Sequence, residues 1–121
     1  MTFEKSPCDT KAKLANFTKY VRRHSLARFM VQYELFKMQI DIKGSIVECG
    51  VHHGGGVMAW AKLSAILEPY NYHRKIVGFD TFAGFPSVSA IDTEKTPNVG
   101  VGMFSEGYDI FTELTECINE F

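Results

Sequence analysis

The residues with the clearest chemical potential are Glu48, Asp80 and four glycines between them, Gly50, Gly54, Gly55 and Gly56. They open on the run Glu48-Cys49-Gly50-Val51-His52-His53-Gly54-Gly55-Gly56. A ligand lying across the carboxyl end of a strand needs backbone without Cβ atoms, so that it can approach closely. Free N–H groups at the start of a following helix favour a negative group such as a carboxylate. Glu48, at a strand end, is placed to accept hydrogen bonds from a cationic amine. Asp80 stands thirty positions after Gly50. A carboxylate there can take both hydroxyls of a ribose, as the acidic residue of dinucleotide sites does.

Spacing discriminates among nucleotides. A nicotinamide or flavin fingerprint wants G-x-G-x-x-G with its acid about 20 residues on. This chain has no glycine at position 52. The phosphate-cradling G-x-x-x-x-G-K-[ST] pattern is missing too, because Gly54 and Gly55 lead into Gly56-Val57-Met58. An acidic residue just before the first glycine repels a pyrophosphate but suits an amino-acid headgroup. S-adenosylmethionine carries an amine, a carboxylate and a ribose, and it is the cofactor this pattern favours. A dinucleotide-binding oxidoreductase fragment is disfavoured.

These residues need a strand, a turn and a helix to hold them. Ser45-Ile46-Val47-Glu48-Cys49 is a short β-branched run. Val57 to Leu67 is apolar on nearly all sides, which expects a helix buried against a sheet. Residues 70–74 form a polar connection, and Lys75 to Asp80 reads as a second strand. Strand, helix, strand predicts parallel strands joined by a right-handed crossover. Ahead of this unit, Asp9-Thr10 signals a helix start, and Leu14, Phe17, Thr18 and Val21 continue at helical spacing. A second helix is expected from near Ser25, a possible N-cap, to about Gln39. Its residues Leu26, Phe29, Met30, Tyr33, Phe36 and Ile40 predict one buried stripe. Gly44 then acts as a stop. From Thr81 to about Phe104 the chain is turn-rich, and a loop of that length is usually functional or partly disordered. A last helix takes Ile110, Phe111, Leu114, Cys117, Ile118 and Phe121 onto one face, with Ser105 or Asp109 as cap.

Together the two motifs resemble the macrocin O-methyltransferase family. The matching runs are Gly44-Ser45-Ile46-Val47-Glu48-Cys49-Gly50-Val51 with Gly54-Gly55, and Gly78-Phe79-Asp80-Thr81-Phe82-Ala83-Gly84-Phe85-Pro86. Leu26 to Lys37 looks like that family's N-terminal lid region, and the likeness covers roughly residues 17–121. It implies an α/β, Rossmann-like S-adenosylmethionine-dependent methyltransferase fold, represented by its N-terminal part: a helical lead-in or lid over residues 1–43, then the first βαβ unit within a cofactor-binding half over 44–121. The implied activity is methylation of a hydroxyl on a sugar or other natural product, with S-adenosylmethionine and a divalent metal, magnesium, as cofactors. Residue by residue, the resemblance places Glu48, Gly50, Val51, Gly54 and Gly55 around the methionine end. It puts Asp80 on the ribose, Thr81 and Phe82 beside the adenosine, and Phe85 in the same pocket. This chain departs from the family at His52-His53, where an aromatic-basic pair is frequent. Family members run to roughly twice this length. Their metal ligands and catalytic base are expected beyond Phe121.

Composition narrows the remaining possibilities. With 121 residues, 45% of them hydrophobic, and a net charge of −1, the chain reads as one soluble globular domain at most. Residues 1–43 carry nine Lys/Arg against four Asp/Glu, or +5, while the remainder sums to −6. The basic residues interleave with apolar helix positions, so a solvated helix face is expected and nucleic-acid binding is not. No run is long enough to span a bilayer. Cys8, Cys49 and Cys117 form neither a disulfide framework nor a zinc pattern, and a reducing cytoplasm fits them. Cys49 alternates away from Glu48 and is expected to be buried. His52 and His53 are set aside as metal ligands, because adjacent turn residues rarely share an ion and no carboxylate or cysteine stands at ligand spacing. Two strands alone leave edges and an apolar face uncovered. A homo-oligomer is therefore expected, and the alternative to an enzyme is a truncated, non-catalytic interaction module that self-associates.

Overall fold

The computed structural model describes residues 2–96 and 98–120. Their elements run α1 (Thr10–Ala15), a 3₁₀ turn (Phe17–Lys19), α2 (Arg23–Gln39), β1 (Ile46–Cys49), α3 (Gly55–Leu67), β2 (Ile76–Phe79), α4 (Ala90–Lys95) and α5 (Ile110–Glu120). The chain divides into two compact units, Met1–Asp41 and Ile42–Phe121. Among the described residues no helix is long and apolar enough to cross a membrane.

In the first unit, the Asp9 carboxylate accepts the Ala12 N–H at 2.7 Å and starts α1 as expected. The helix does not run on to Val21. Asn16 ends it, since its side-chain amide donates to Ala12 O at 2.9 Å and competes with the helical ladder. Tyr20 folds back, its ring edge-on to Phe3 and its hydroxyl 2.9 Å from Ser6 Oγ. Helix α2 begins at Arg23 without a side-chain cap, so Ser25 lies inside its first turn and is not the N-cap. The predicted buried stripe is corrected as well. Of α2's residues only Phe36 is buried, while Phe29, Met30 and Tyr33 are exposed. The unit's other helical pieces are one or two turns long, too short to cover five turns of α2.

The second unit carries the predicted strand–helix–strand. β1 and β2 are parallel, paired Ile46 with Ile76 through Cys49 with Phe79. Period-two alternation puts Ile46, Glu48, Ile76 and Gly78 on one face and Val47, Cys49, Val77 and Phe79 on the other. α3 covers the first face: Trp60 Nε1 donates to Glu48 Oε2 at 2.8 Å, and Val57 lies so close to Gly78 that a Cβ there would sit 3.0 Å from its methyl group. Gly56, Val57 and Leu63 of α3 are buried. On the second face Val47, Cys49 and Phe79 are exposed, so Cys49 is not buried as expected. In a doubly wound sheet both faces are covered; within the second unit α3 is the helix with the closest packing on both strands.

The long loop after β2 also differs from expectation. It contains α4, whose N-cap Ser89 accepts the Asp92 N–H at 3.2 Å while its hydroxyl donates to Asp92 Oδ2 at 2.7 Å. α5 starts where Asp109 accepts the Thr112 N–H at 3.0 Å, so Asp109 rather than Ser105 is its cap. Ahead of the amino ends of the strands, Arg74 makes a two-pronged ion pair with Glu68 and donates to the carbonyls of Ile42 and Gly44 at 3.0 and 3.1 Å. It thereby ties the end of α3 to the approach of β1. Its side chain is 3% exposed and that of Glu68 is 6% exposed. The guanidinium lowers the Glu68 pKa, and the carboxylate raises that of Arg74.

Candidate functional site

Parallel pairing brings the carboxyl ends of β1 and β2 side by side, and the Gly50 N–H donates to Phe79 O at 2.9 Å to close the ladder. From Gly50 the chain turns through His52 to Gly54, which has φ +83 and opens α3. That conformation suits glycine alone at no steric cost. Leu114 of α5 also packs directly over Gly54, leaving no room for a Cβ. Gly56, in the first turn of α3, lies against the Glu48 carboxylate with equally little space. The glycines therefore let a carboxylate and a second helix close onto this turn.

Asp80 organises the other side. Its Oδ2 accepts the His52 N–H and its Oδ1 accepts the Phe82 N–H, each at 2.8 Å. These backbone donors, His52 first, hold its carboxyl below the usual carboxylate range. The backbone N–H groups of Val51 and Thr81 add to the same effect. Asp80 is thus an ionised acceptor at neutral pH. Thr81 Oγ1 donates to Gly84 O at 2.8 Å and shapes the next turn.

A cavity of about 500 Å³ opens here. Gly50, Asp80, Thr81 and Phe82, four of the residues expected from the sequence, line it, as does Phe85. Glu48, Val51, Gly54 and Gly55 do not. Glu48 is engaged by Trp60 under α3, Val51 is buried, and the two glycines shape the turn. His52, Phe79, Gly84, Pro86, Phe104 and Ile110 complete the wall. Phe104 is edge-on to Phe85 and to His52, with centroids 5.4 and 5.7 Å apart. Sequence reading missed Phe104 because only folding brings it back to the turn. Among the described residues, the three non-glycine residues with left-handed φ are His52 (+51), Phe82 (+53) and Phe104 (+66). All three line this cavity. Backbone held this way costs ~1–3 kcal/mol per residue and concentrates at functional sites.

The turn also gathers donors. His52 Nε2 and His53 Nε2 each lie 3.3 Å from Glu106 Oε1, and His53 Nδ1 is 3.0 Å from the Tyr108 hydroxyl. The carboxylate partner that sequence spacing did not offer to the histidine pair comes from 53 residues downstream of His53.

An apolar, aromatic cavity with an ionised carboxylate at the ends of two parallel strands suits a nucleoside. The fold that presents it is the N-terminal part of a Rossmann-like methyltransferase. A solved structure titled calicheamicin methyltransferase CalS11 matches with a TM-score of 0.84 and 33% identity, over 97% of this chain and 45% of that one. The apo structure of CalS11, described as a TDP-rhamnose 3'-O-methyltransferase of calicheamicin biosynthesis, matches with a TM-score of 0.63 and 37% identity, over 67% and 35% of the two chains. This chain therefore spans less than half the length of the enzyme it is similar to. No protein-family model and no curated protein matches it.

Proposed function

We propose that this chain is the S-adenosylmethionine-gripping front of an O-methyltransferase that acts on a sugar or related natural-product hydroxyl, of the macrocin O-methyltransferase type. The observation behind this is Asp80: its carboxylate accepts the His52 and Phe82 N–H groups and lines an aromatic cavity together with Gly50. The fit to the cofactor rests on this chain's own atoms. A Cβ on Gly50 would project into open space, so the turn leaves room for a ligand over the strand end. Asp80 takes the ribose hydroxyls. Phe82, Phe85 and Phe104 supply apolar surface for the adenine. Glu48, bonded to Trp60 and packed against Gly56 under α3, would have to turn out toward the cavity to meet the methionine amine.

When bound, S-adenosylmethionine supplies an electrophilic methyl group to an attacking hydroxyl. The residues here bind and orient, which can lower a barrier substantially; a base that takes the hydroxyl proton is a separate requirement. Magnesium, expected from the resemblance, does not suit the donors at hand. Among the described residues the metal-competent cluster is His52, His53 and Glu106, and nitrogen donors fit a hard cation poorly.

Calorimetry with S-adenosylmethionine and NAD tests the reading. Binding of the first, not the second, and its loss in Asp80→Ala, is the expected result. Binding of neither ligand would overturn it in favour of the interaction module.

One observation supports that second reading. On the face opposite α3, Val47 and Phe79 are 56% and 60% exposed. Self-association through this face predicts a dimer in sedimentation velocity that Val47→Glu converts to monomer.

A further inference from the structure

We propose that the glycine turn and the segment before α5 form a binding site for a borderline divalent transition metal of the zinc class, with His52, His53 and Glu106 as ligands. This site shares His52 with the rim of the nucleoside cavity but stands without the methyltransferase reading. The donors converge: one ring nitrogen of each of His52 and His53 and one carboxylate oxygen of Glu106 lie within 4.8 Å of one another. Both imidazole nitrogens are 3.3 Å from the same carboxylate oxygen. Ligands on a tetrahedron at ~2.0–2.1 Å from zinc are ~3.3–3.4 Å apart along each edge. An octahedral magnesium site at a similar bond length has edges of ~2.9 Å. The two nitrogen–oxygen separations match the first geometry.

Donor chemistry agrees. Imidazole with one carboxylate suits zinc, copper, nickel or iron, whereas oxygen-only sets suit magnesium and calcium. A metal-bound histidine typically has its second ring nitrogen fixed by a hydrogen bond. His53 has that arrangement, with Nδ1 3.0 Å from the Tyr108 hydroxyl and the two rings near-parallel at 16°. His52 is held from its backbone, whose N–H is bonded to Asp80. The side chains are 45%, 48% and 34% exposed for His52, His53 and Glu106, so an ion enters from solvent and water completes the shell. Bound there, it clamps the 104–109 segment to the glycine turn. His52 and Phe104 line the nucleoside cavity, so the clamp forms part of its rim.

The test uses the untagged full chain. Zinc is titrated against a chromogenic chelator, and cobalt absorption reports the ligand set. The expected result is one ion per chain, unaffected by excess magnesium, with tetrahedral d–d bands. His53→Ala and Glu106→Gln should each weaken zinc by at least ~10-fold, and Tyr108→Phe by ~10-fold, the range for lost outer-shell support. Zinc should also raise the thermal midpoint of wild type and leave that of Glu106→Gln unchanged. Unchanged zinc affinity in Glu106→Gln, or a thiolate-to-cobalt charge-transfer band, would overturn the assignment. Glu106→Gln preserves shape at a part-exposed position, so its result stands even where His53→Ala loses structure.

Discussion

Asp80→Asn separates two roles of one carboxylate. In the free protein Asp80 receives the N–H groups of His52 and Phe82, one on each oxygen. An amide of the same shape has one oxygen, so its NH2 group must face one of those donors. Losing one charge-assisted bond costs ~1.5–3 kcal/mol and stranding a buried donor about as much. Asp80 is only half-buried and water can reach the orphaned N–H. The expected loss is therefore near the bottom of that range, ~1–2 kcal/mol. With a urea slope of ~1–2 kcal/mol per molar, the unfolding midpoint falls by ~1 M.

The second role appears with ligand. On the proposed reading, ribose hydroxyls donate to the charged Asp80, and Asp80→Asn should lose at least one such bond, ~10–100-fold in S-adenosylmethionine affinity. Urea melts followed by circular dichroism give the first quantity and calorimetry gives the second. The pH dependence supplies an independent check. The Asp80 pKa is depressed in the folded state, so its contribution is complete above the unfolded value of ~3.9 and is lost as pH falls through the folded pKa. The stability gap between wild type and Asp80→Asn should hold from neutral pH down to ~4 and close below it. A variant with an unchanged midpoint and unchanged affinity would refute both roles. An unchanged midpoint with lost affinity would refute the structural one.

Arg74→Met should destabilise the chain by ~3–5 kcal/mol, because it leaves the Glu68 carboxylate covered and unpaired; urea melts measure it, and adding Glu68→Leu should restore much of the loss. With Glu68 held low by Arg74, the pair's contribution should persist above pH ~4.3 and fade as acid protonates the folded carboxylate. Gly54→Ala forces a Cβ into a left-handed position and against Leu114, for a loss of at least ~1 kcal/mol. Pairing it with Leu114→Ala should show a favourable coupling in a double-mutant cycle, and strict additivity would disprove the steric part. Trp60→Phe removes the donor to Glu48 Oε2 and should cost ~1–2 kcal/mol in chemical denaturation.

What could be read from the sequence was what is local. β1, α3 and β2 were legible because a β-branched run, a glycine cluster and a second β-branched run follow one another within forty residues, and a parallel βαβ unit is the packing that satisfies them. Asp80 was legible by the same logic, since parallel strands must end side by side. α4 was legible in principle: Ser89-Ala-Ile-Asp92 carries a capping pattern, but the surrounding turn residues hid it. What stayed hidden is what the chain assembles across distance. The Arg74 side chain looked like part of a polar connection, yet it reaches back 32 residues to Ile42. Glu106 and Tyr108 meet a histidine pair more than fifty residues away. Burial failed for a different reason. Alternation correctly put Cys49 opposite Glu48, but whether that face is covered depends on a second layer of helices, and periodicity within a strand carries no information about what packs on it. The same gap explains α2, whose apolar stripe has the helical period but little to bury against within its own unit. A period fixes which residues share a face, and only the partner surface decides whether that face is a core. The exposed side of the sheet and the stripe of α2 are therefore where any further chain, or a second copy, would change burial most, while the Asp80 hydrogen bonds should remain as they are.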